Sequence, residues 1–140
     1  MTASERIDRM IAELTDWRAS TLASIRKTIL AADRQIICKL DNRQRTGSFK
    51  ERGARNALAR LPPEQQKRGV IAASAGNHAQ ALAYQGKLLG IPATVVMPKF
   101  APLIKIGNCE KLGANVVLHG KDFAEAKAHA HTIGEERGLA

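Results

Sequence analysis

A lysine stands where a helix is expected to begin, at the end of the stretch Thr46-Gly47-Ser48-Phe49-Lys50. We interpret Ser48 and Glu51 as a capping box, in which Ser48 caps the first turn and Glu51 reaches back to it. The positive end of the helix dipole then favours the neutral amine of Lys50 over the ammonium. Only a neutral amine attacks an aldehyde, so the stretch predicts carbonyl chemistry at Lys50. By spacing alone, a solvated lysine on a basic helix is the more frequent explanation.

A second stretch, Ser74-Ala75-Gly76-Asn77-His78, lies between a short apolar run and another helical pattern. Backbone N–H groups in the first turn of a helix form a natural anion site. In an open parallel sheet, ligands bind beyond the carboxyl ends of the strands, which is where this stretch is expected to lie. The pattern therefore predicts an anion-binding loop, while a generic glycine loop of an α/β protein would explain Gly76 equally well.

Strands and helices alternate from residue 69 onwards. Apolar runs predict strands at residues 70–73, 93–97 and 116–119, and helical patterns occupy residues 79–89, 102–112 and 122–137. Gly90, Gly113 and Gly138 follow these helices, as glycines with left-handed backbone do at helix ends. This alternation predicts an α/β fold with right-handed crossovers: an open parallel sheet with helices on both faces, in three layers.

The region before residue 69 is expected to be mainly helical. Thr2 and Glu5 can form a capping box for a helix over residues 4–14, whose apolar stripe is Ile7, Met10, Ile11 and Leu14. A second helix is predicted over residues 21–32 and a buried strand over residues 35–40. The helix that starts at Ser48 should end near residue 61, because the prolines at positions 62 and 63 cannot continue it.

Composition indicates one globular domain without a membrane span. The chain has 140 residues, of which 44% are hydrophobic and 25% charged, and no apolar run approaches about eighteen residues. The polar first eight residues do not form a secretory signal. Cys38 and Cys109 lack metal-ligand spacing, so we expect two reduced thiols in a cytoplasmic protein and no metal site.

The formal net charge of +9 raises the question of nucleic acid. The basic residues are dispersed along the chain, and aromatic residues make up only 4% of it. Proteins that bind single strands combine basic and stacking aromatic side chains, a pattern missing from this sequence. We therefore expect no nucleic-acid partner, and a basic nucleic-acid-binding domain is kept only as an alternative.

The two motifs together resemble those of the fold-type II pyridoxal-phosphate enzymes. The first continues as Glu51-Arg52-Gly53-Ala54 and the second as Ala79-Gln80, and within the family the sequence is most similar to the threonine dehydratases (threonine ammonia-lyases). The resemblance implies pyridoxal 5'-phosphate as cofactor, bound covalently by Lys50. It also implies that Phe49 shapes the cofactor pocket and that Asn77 donates a hydrogen bond to the cofactor ring oxygen. The loop Ser74, Ala75, Gly76, Asn77 and His78 would hold the substrate carboxylate.

The resemblance implies a lyase that converts L-threonine to 2-oxobutanoate, or L-serine to pyruvate, with release of ammonia. Racemase relatives tend to carry a second serine immediately before the glycine of the second motif, where it acts as a base. Ala75 occupies that position here, which favours elimination over racemisation. The expected setting is amino-acid metabolism, including isoleucine biosynthesis. The expected partners are an amino-acid substrate and, in a longer parent, further copies of the chain.

The resemblance also divides the chain. Residues 1–44 correspond to the lead-in of the family's large domain, and residues 45–140 to its small α/β domain, incomplete at the carboxyl end. The family binds the cofactor phosphate through a run of glycines, yet none of the eleven glycines here are adjacent. We therefore expect a truncated form with little activity alone. The alternative is a non-catalytic small domain that serves as a binding or regulatory module.

Overall fold

The computed structural model describes residues 2–32 and 40–140, which fall into two compact units, Met1–Lys39 and Leu40–Ala140. The strand predicted over residues 35–40 and the side chain of Cys38 lie outside the described residues, except for Leu40. Within the described ranges, no helix is long and apolar enough to cross a membrane.

The first unit contains two helices, α1 (Ala3–Ala12) and α2 (Trp17–Ala32), which contact each other. The capping box predicted for α1 is confirmed: the Glu5 N–H donates to Thr2 Oγ1 at 3.2 Å, and the Thr2 N–H donates to Glu5 Oε2 at 2.6 Å. Helix α2 begins four residues earlier than predicted, at Trp17 instead of residue 21. Asp16 assists this early start, since its Oδ1 accepts the Arg18 N–H at 2.9 Å.

The second unit is an α/β domain built on three parallel strands in the order β1-β2-β3. Val95 in the central strand lies opposite Ala72 of β1 and Val116 of β3. The elements in chain order are a 3-10 helix (Asp41–Arg43), α3 (Lys50–Ala59), α4 (Pro63–Arg68), β1 (Val70–Ala73), α5 (Asn77–Leu89), β2 (Ala93–Met97), α6 (Leu103–Lys111), β3 (Asn115–Leu118) and α7 (Phe123–Arg137). The predicted strands and helices from residue 69 onwards are confirmed to within two residues at each end.

Side chains of the central strand alternate between two hydrophobic cores, as the period of a strand requires. Val95 and Met97 are fully buried against one face of the sheet, in a core shared with α3, α5 and α6 through Leu58, Leu82 and Cys109. Val96 points to the other face, where it packs with residues of α7: Ala126, Ala130 and Ile133. The sheet therefore carries helices on both faces, and the predicted three-layer arrangement is confirmed.

Glycines follow α5, α6 and α7, as predicted. Gly90 after α5 and Gly138 after α7 adopt the left-handed conformation, with φ of 68° and 60°. Gly113 also has a positive φ, 89°, one residue beyond the cap at Leu112. These positions reverse the chain without the steric cost that a side chain would bring.

Helix α4 was not predicted. The prolines were expected only to end the preceding helix, which does stop at Ala59. Pro63 is also the first residue of α4, a position where its missing N–H would have had no intrahelical partner. Gln66 fixes the corner between the two helices, since its Nε2 donates to the Leu61 carbonyl at 2.9 Å.

Candidate active site

The lysine loop is shaped by a turn and not by the predicted capping box. Gly47 has a φ of 73° and its N–H donates to the Gln44 carbonyl at 2.8 Å. Helix α3 starts at Lys50, two residues later than predicted. The residue before it, Phe49, is the N-cap and has helical backbone angles. The capping-box prediction was wrong in its partner: Glu51 bonds to Thr46, while Ser48 Oγ accepts only the Lys50 N–H, at 3.4 Å.

The side chain of Lys50 extends into an open groove. Its Nζ lies 4.9 Å from the centroid of the Phe49 ring, and that ring is 60% exposed. The groove has a volume of about 400 Å³ and brings Lys50 and Phe49 of the first motif together with His78 of the second. None of the ion pairs among the described residues involves Lys50. Its amine is therefore accessible to a ligand in the groove.

The second motif connects β1 to α5, at the carboxyl end of the sheet. The Ser74 N–H donates to the Val96 carbonyl at 3.0 Å, and Ser74 Oγ accepts the N–H groups of Gly76 and Ala79, both at 3.3 Å. Helix α5 then begins at Asn77. Within residues 40–140, no protein acceptor meets the backbone N–H of Asn77 or of His78. These two groups face outward from a helix start, which suits an anion.

Open space lies beside both motifs. A Cβ atom built on Gly76 would meet no other atom within 4 Å, and the same holds at Gly53, one turn after Lys50. A ligand can therefore approach the backbone closely at both places.

The pKa of His78 in the second motif depends in part on the charge of Lys50 in the first motif. Partial burial lowers the pKa of its imidazole below the ordinary value of 6.5, and the positive charge of Lys50 lowers it further. The side chain is therefore uncharged at neutral pH. A neutral imidazole beside Lys50 offers one donor and one acceptor without repelling the lysine.

Lys105 at the start of α6 reaches the second motif, a contact that sequence reasoning missed. Its Nζ donates to Asn77 Oδ1 at 3.3 Å. This bond occupies the amide oxygen and leaves the amide N–H groups of Asn77 free to donate to a ligand. The signal available in the sequence was topological: α5 and α6 both follow parallel strands, so their first residues lie at the same edge of the sheet.

Other candidate groups lie apart from the groove. Cys109 is fully buried on α6, and burial raises the pKa of its thiol, which makes it unreactive. The rings of His119 and His129 stack with centroids 3.8 Å apart, which the sequence did not indicate. In the part of the chain that the structure describes, no three metal-ligating side chains come together.

Comparison with known proteins identifies the family. Residues 21–140 match the family described as pyridoxal-phosphate dependent enzyme. The chain belongs to this family. Its members use pyridoxal 5'-phosphate, so the resemblance inferred from the two motifs is confirmed at the family level.

Relatives with threonine in their names each align with 104 residues of the chain. The chain is 54% identical to L-threonine ammonia-lyase of Thermotoga maritima, over 74% of the chain and 26% of that protein. It is 52% identical to the mitochondrial threonine dehydratase of Saccharomyces cerevisiae, over 74% of the chain and 18% of that protein. The aligned part of the chain thus spans 26% and 18% of the length of these two relatives.

Solved structures in the family share the fold of the chain. Threonine deaminase isoform 2 from Solanum lycopersicum superposes with a TM-score of 0.70 at 48% identity, over 72% of this chain and 29% of that one. Maize serine racemase also gives a TM-score of 0.70, at 36% identity, over 73% of this chain and 31% of that one. Both lyases and racemases are therefore represented among proteins of this fold.

The residues of the groove fit one end of the cofactor. Lys50 offers an accessible amine for the aldehyde, and the exposed Phe49 ring offers an apolar surface for the pyridine ring. The N–H groups at the start of α5 fit a carboxylate. The fit is limited to the aldehyde end, because the sequence contains no adjacent glycines to surround the phosphate.

Proposed function

We propose that this chain supplies the reactive lysine and the substrate loop of a pyridoxal-phosphate dependent ammonia-lyase acting on L-threonine, L-serine or both. The observation that carries the proposal is the groove in which Lys50 and Phe49 meet His78, next to free N–H groups at a helix start. The 54% identity to an L-threonine ammonia-lyase supports the choice of substrate.

Each motif has a separate task in this proposal. Lys50 holds the cofactor aldehyde and later accepts the proton from Cα of the amino acid. When bound, the cofactor supplies an electron-withdrawing ring that makes this proton removable. Phe49 flanks the ring, and Asn77 donates to the ring oxygen with its amide N–H, since Lys105 occupies its amide oxygen.

The loop Ser74, Ala75, Gly76, Asn77 and His78 binds the substrate carboxylate. Ser74 Oγ keeps the loop in shape by accepting the N–H groups of Gly76 and of Ala79 in α5, and the N–H groups of Asn77 and His78 remain for the carboxylate. His78 is uncharged at neutral pH, so its imidazole does not attract the substrate carboxylate away from these N–H groups.

Ala75 supports elimination over racemisation. A racemase needs a second base on the face of the substrate opposite the lysine, and the methyl group of Ala75 offers none. Lys50 takes the proton from Cα, and the β-hydroxyl leaves as water by taking up that proton. The remaining enamine then reacts with water to give the oxo acid and ammonia. The products are 2-oxobutanoate from threonine and pyruvate from serine.

The wider setting of this chain is also part of the proposal. We assign residues 1–44 to a lead-in to the large domain and residues 45–140 to the small domain. A cytoplasmic location, a place in isoleucine biosynthesis and a homo-oligomeric parent protein follow from the same likeness. The alternative is a non-catalytic binding or regulatory module, which would keep the fold and fail to label Lys50 with the cofactor.

The role of the loop is tested by displacement of the cofactor from Lys50. The chain is loaded with pyridoxal phosphate, L-threonine is added, and borohydride then fixes whatever cofactor remains on Lys50. We expect L-threonine to displace the label about ten-fold more effectively than 1-amino-2-propanol, which lacks the carboxylate. In Gly76→Ala, whose added methyl meets no protein atom, the fold should persist and this preference should fall. Equal displacement by both amines in the unmodified chain would contradict the proposal.

A further inference from the structure

A buried carboxyl group lies directly after the lysine. Glu51 is only 5% exposed, although glutamate is among the residues least often found inside a protein. Burying such a group is unfavourable unless hydrogen-bond partners surround it. Here the partners are present, and among the described residues no buried side-chain oxygen or nitrogen is left without one.

The partners of Glu51 come from two different places. One oxygen, Oε1, accepts both the backbone N–H of Thr46 and the Thr46 hydroxyl, the latter at 2.7 Å. The other oxygen, Oε2, accepts Nε2 of Gln85 at 3.5 Å. Arg55 completes the chain of bonds, since its Nη1 donates to Gln85 Oε1 at 3.2 Å. Thr46 opens the lysine loop, whereas Gln85 belongs to α5.

These bonds connect the two motifs through the interior. Helix α5 carries Asn77 and His78 in its first turn and Gln85 about two turns further on. Helix α3 carries Lys50 in its first turn and packs against α5, with Ala54 and Leu58 buried and Leu58 in the core that the two helices share. Burial of these apolar residues brings the helices together but does not fix how far one slides along the other. Directional hydrogen bonds restrict this sliding: Glu51 bonds to Thr46 on one side and to Gln85 on the other, and the shorter Arg55–Gln85 bond supports the second contact.

We infer that Glu51 is a positioning residue: it holds the lysine loop in register with helix α5, so that Lys50 meets the Asn77–His78 end of the substrate loop. The effect on the reactivity of Lys50 rests on the proposed function, whereas the hydrogen bonds of Glu51 do not. Glu51 touches no ligand in this account and acts through Thr46 and Gln85. A misplacement of about 1 Å can reduce the rate of a reaction by about a hundred-fold, so the link matters for reactivity at Lys50.

Two readouts on the 140-residue chain test the inference. The first is amide hydrogen exchange at Thr46 and Lys50 without cofactor, and the second is the rate at which pyridoxal phosphate labels Lys50. In Glu51→Ala we expect exchange at Thr46 to become about ten-fold faster and the labelling rate per folded molecule to fall by at least about ten-fold. In Glu51→Gln, which keeps an oxygen for Thr46 but turns an amide N–H towards the Gln85 Nε2 donor, exchange at Thr46 should stay close to that of the unmodified chain while labelling becomes slower.

Ile133→Ala is the matched control, because Ile133 is buried on α7 in the core on the other face of the sheet. It should lower stability without changing exchange at Thr46 or labelling per folded molecule. If Glu51→Ala fails to fold, Gln85→Met tests the link from the α5 side by removing the bonds of Gln85 to both Glu51 and Arg55: we expect slower labelling, with exchange at Thr46 retained.

The outcomes separate this inference from the proposed function. If Lys50 is not labelled even in the unmodified chain, the proposed function fails, and exchange at Thr46 and Lys50 alone decides the inference. Unchanged exchange in Glu51→Ala would overturn it. Faster exchange with an unchanged labelling rate would also overturn it, since the bonds would then hold the loop without positioning the lysine.

Discussion

Two side chains decide what the candidate site can do, Lys50 and His78. The amine of Lys50 has no ion-pair partner among the described residues and faces a groove that is open to solvent. The imidazole of His78 lies in the same groove with a lowered pKa. A basic amine beside an uncharged imidazole and unpaired N–H groups leaves the site positively polarised, as the carboxylate and phosphate groups of its proposed ligands require.

The lowered pKa of His78 predicts a pH-dependent stability. Because the folded state binds this proton less readily than the unfolded chain does, stability is unaffected well above the ordinary pKa of 6.5. It decreases as the pH falls below that value, until the pKa of the folded state is passed. We expect His78→Gln to lose part of this acid sensitivity.

Urea unfolding of both proteins at a series of pH values between about 7.5 and 5 measures the effect, and the difference between the two curves isolates His78 from the other histidines. A difference that is constant over this range would contradict the prediction.

At the scale of elements, the site depends on the packing of α3 against α5. Leu58 is 2% exposed and belongs to the core beneath both helices, where it also lines the groove below Lys50. Ala54 and Glu51 continue the same buried stripe towards the lysine. Helix α3 is therefore held by apolar burial at Leu58 and by hydrogen bonds at Glu51, next to the lysine.

Leu58→Ala should destabilise the domain by about 2–5 kcal/mol, because it removes buried methyl groups and leaves a cavity. The matched control is Leu103→Ala, at a position that is 85% exposed, where we expect a change within about 0.5 kcal/mol. Denaturant unfolding at neutral pH compares the two. A cost at Leu58 no larger than at Leu103 would show that the helices are not held together at this point.

Local patterns in the sequence predicted most of these elements, and long-range contacts account for the differences. The strands and the helix ends at Gly90 and Gly138 follow from apolar periodicity and glycine chemistry within a few residues. The partner of Glu51 could not be predicted in this way. A capping-box pattern indicates only that a glutamate can reach back towards the helix start, and here Glu51 reaches Thr46. The Lys105–Asn77 bond joins residues 28 positions apart, and no local pattern specifies it.

On the scale of the whole molecule, the chain combines an α/β domain of three parallel strands with a separate pair of helices. It spans between 18% and 30% of the length of the curated relatives it matches. Its net charge of +9 lies mostly in the first half of the sequence. Family membership rests on residues 21–140, and the two motifs and the groove that joins them lie within this range.

The most direct test of the account is where pyridoxal phosphate attaches to this chain. The protein is incubated with the cofactor, reduced with borohydride and mapped by peptide mass, beside Lys50→Ala as control. We expect label predominantly on Lys50, and only weak, scattered label in the control, because the amine of Lys50 lies in the groove that the Phe49 ring and His78 also line. Label spread evenly over Lys50 and exposed lysines such as Lys99 and Lys121 would contradict it.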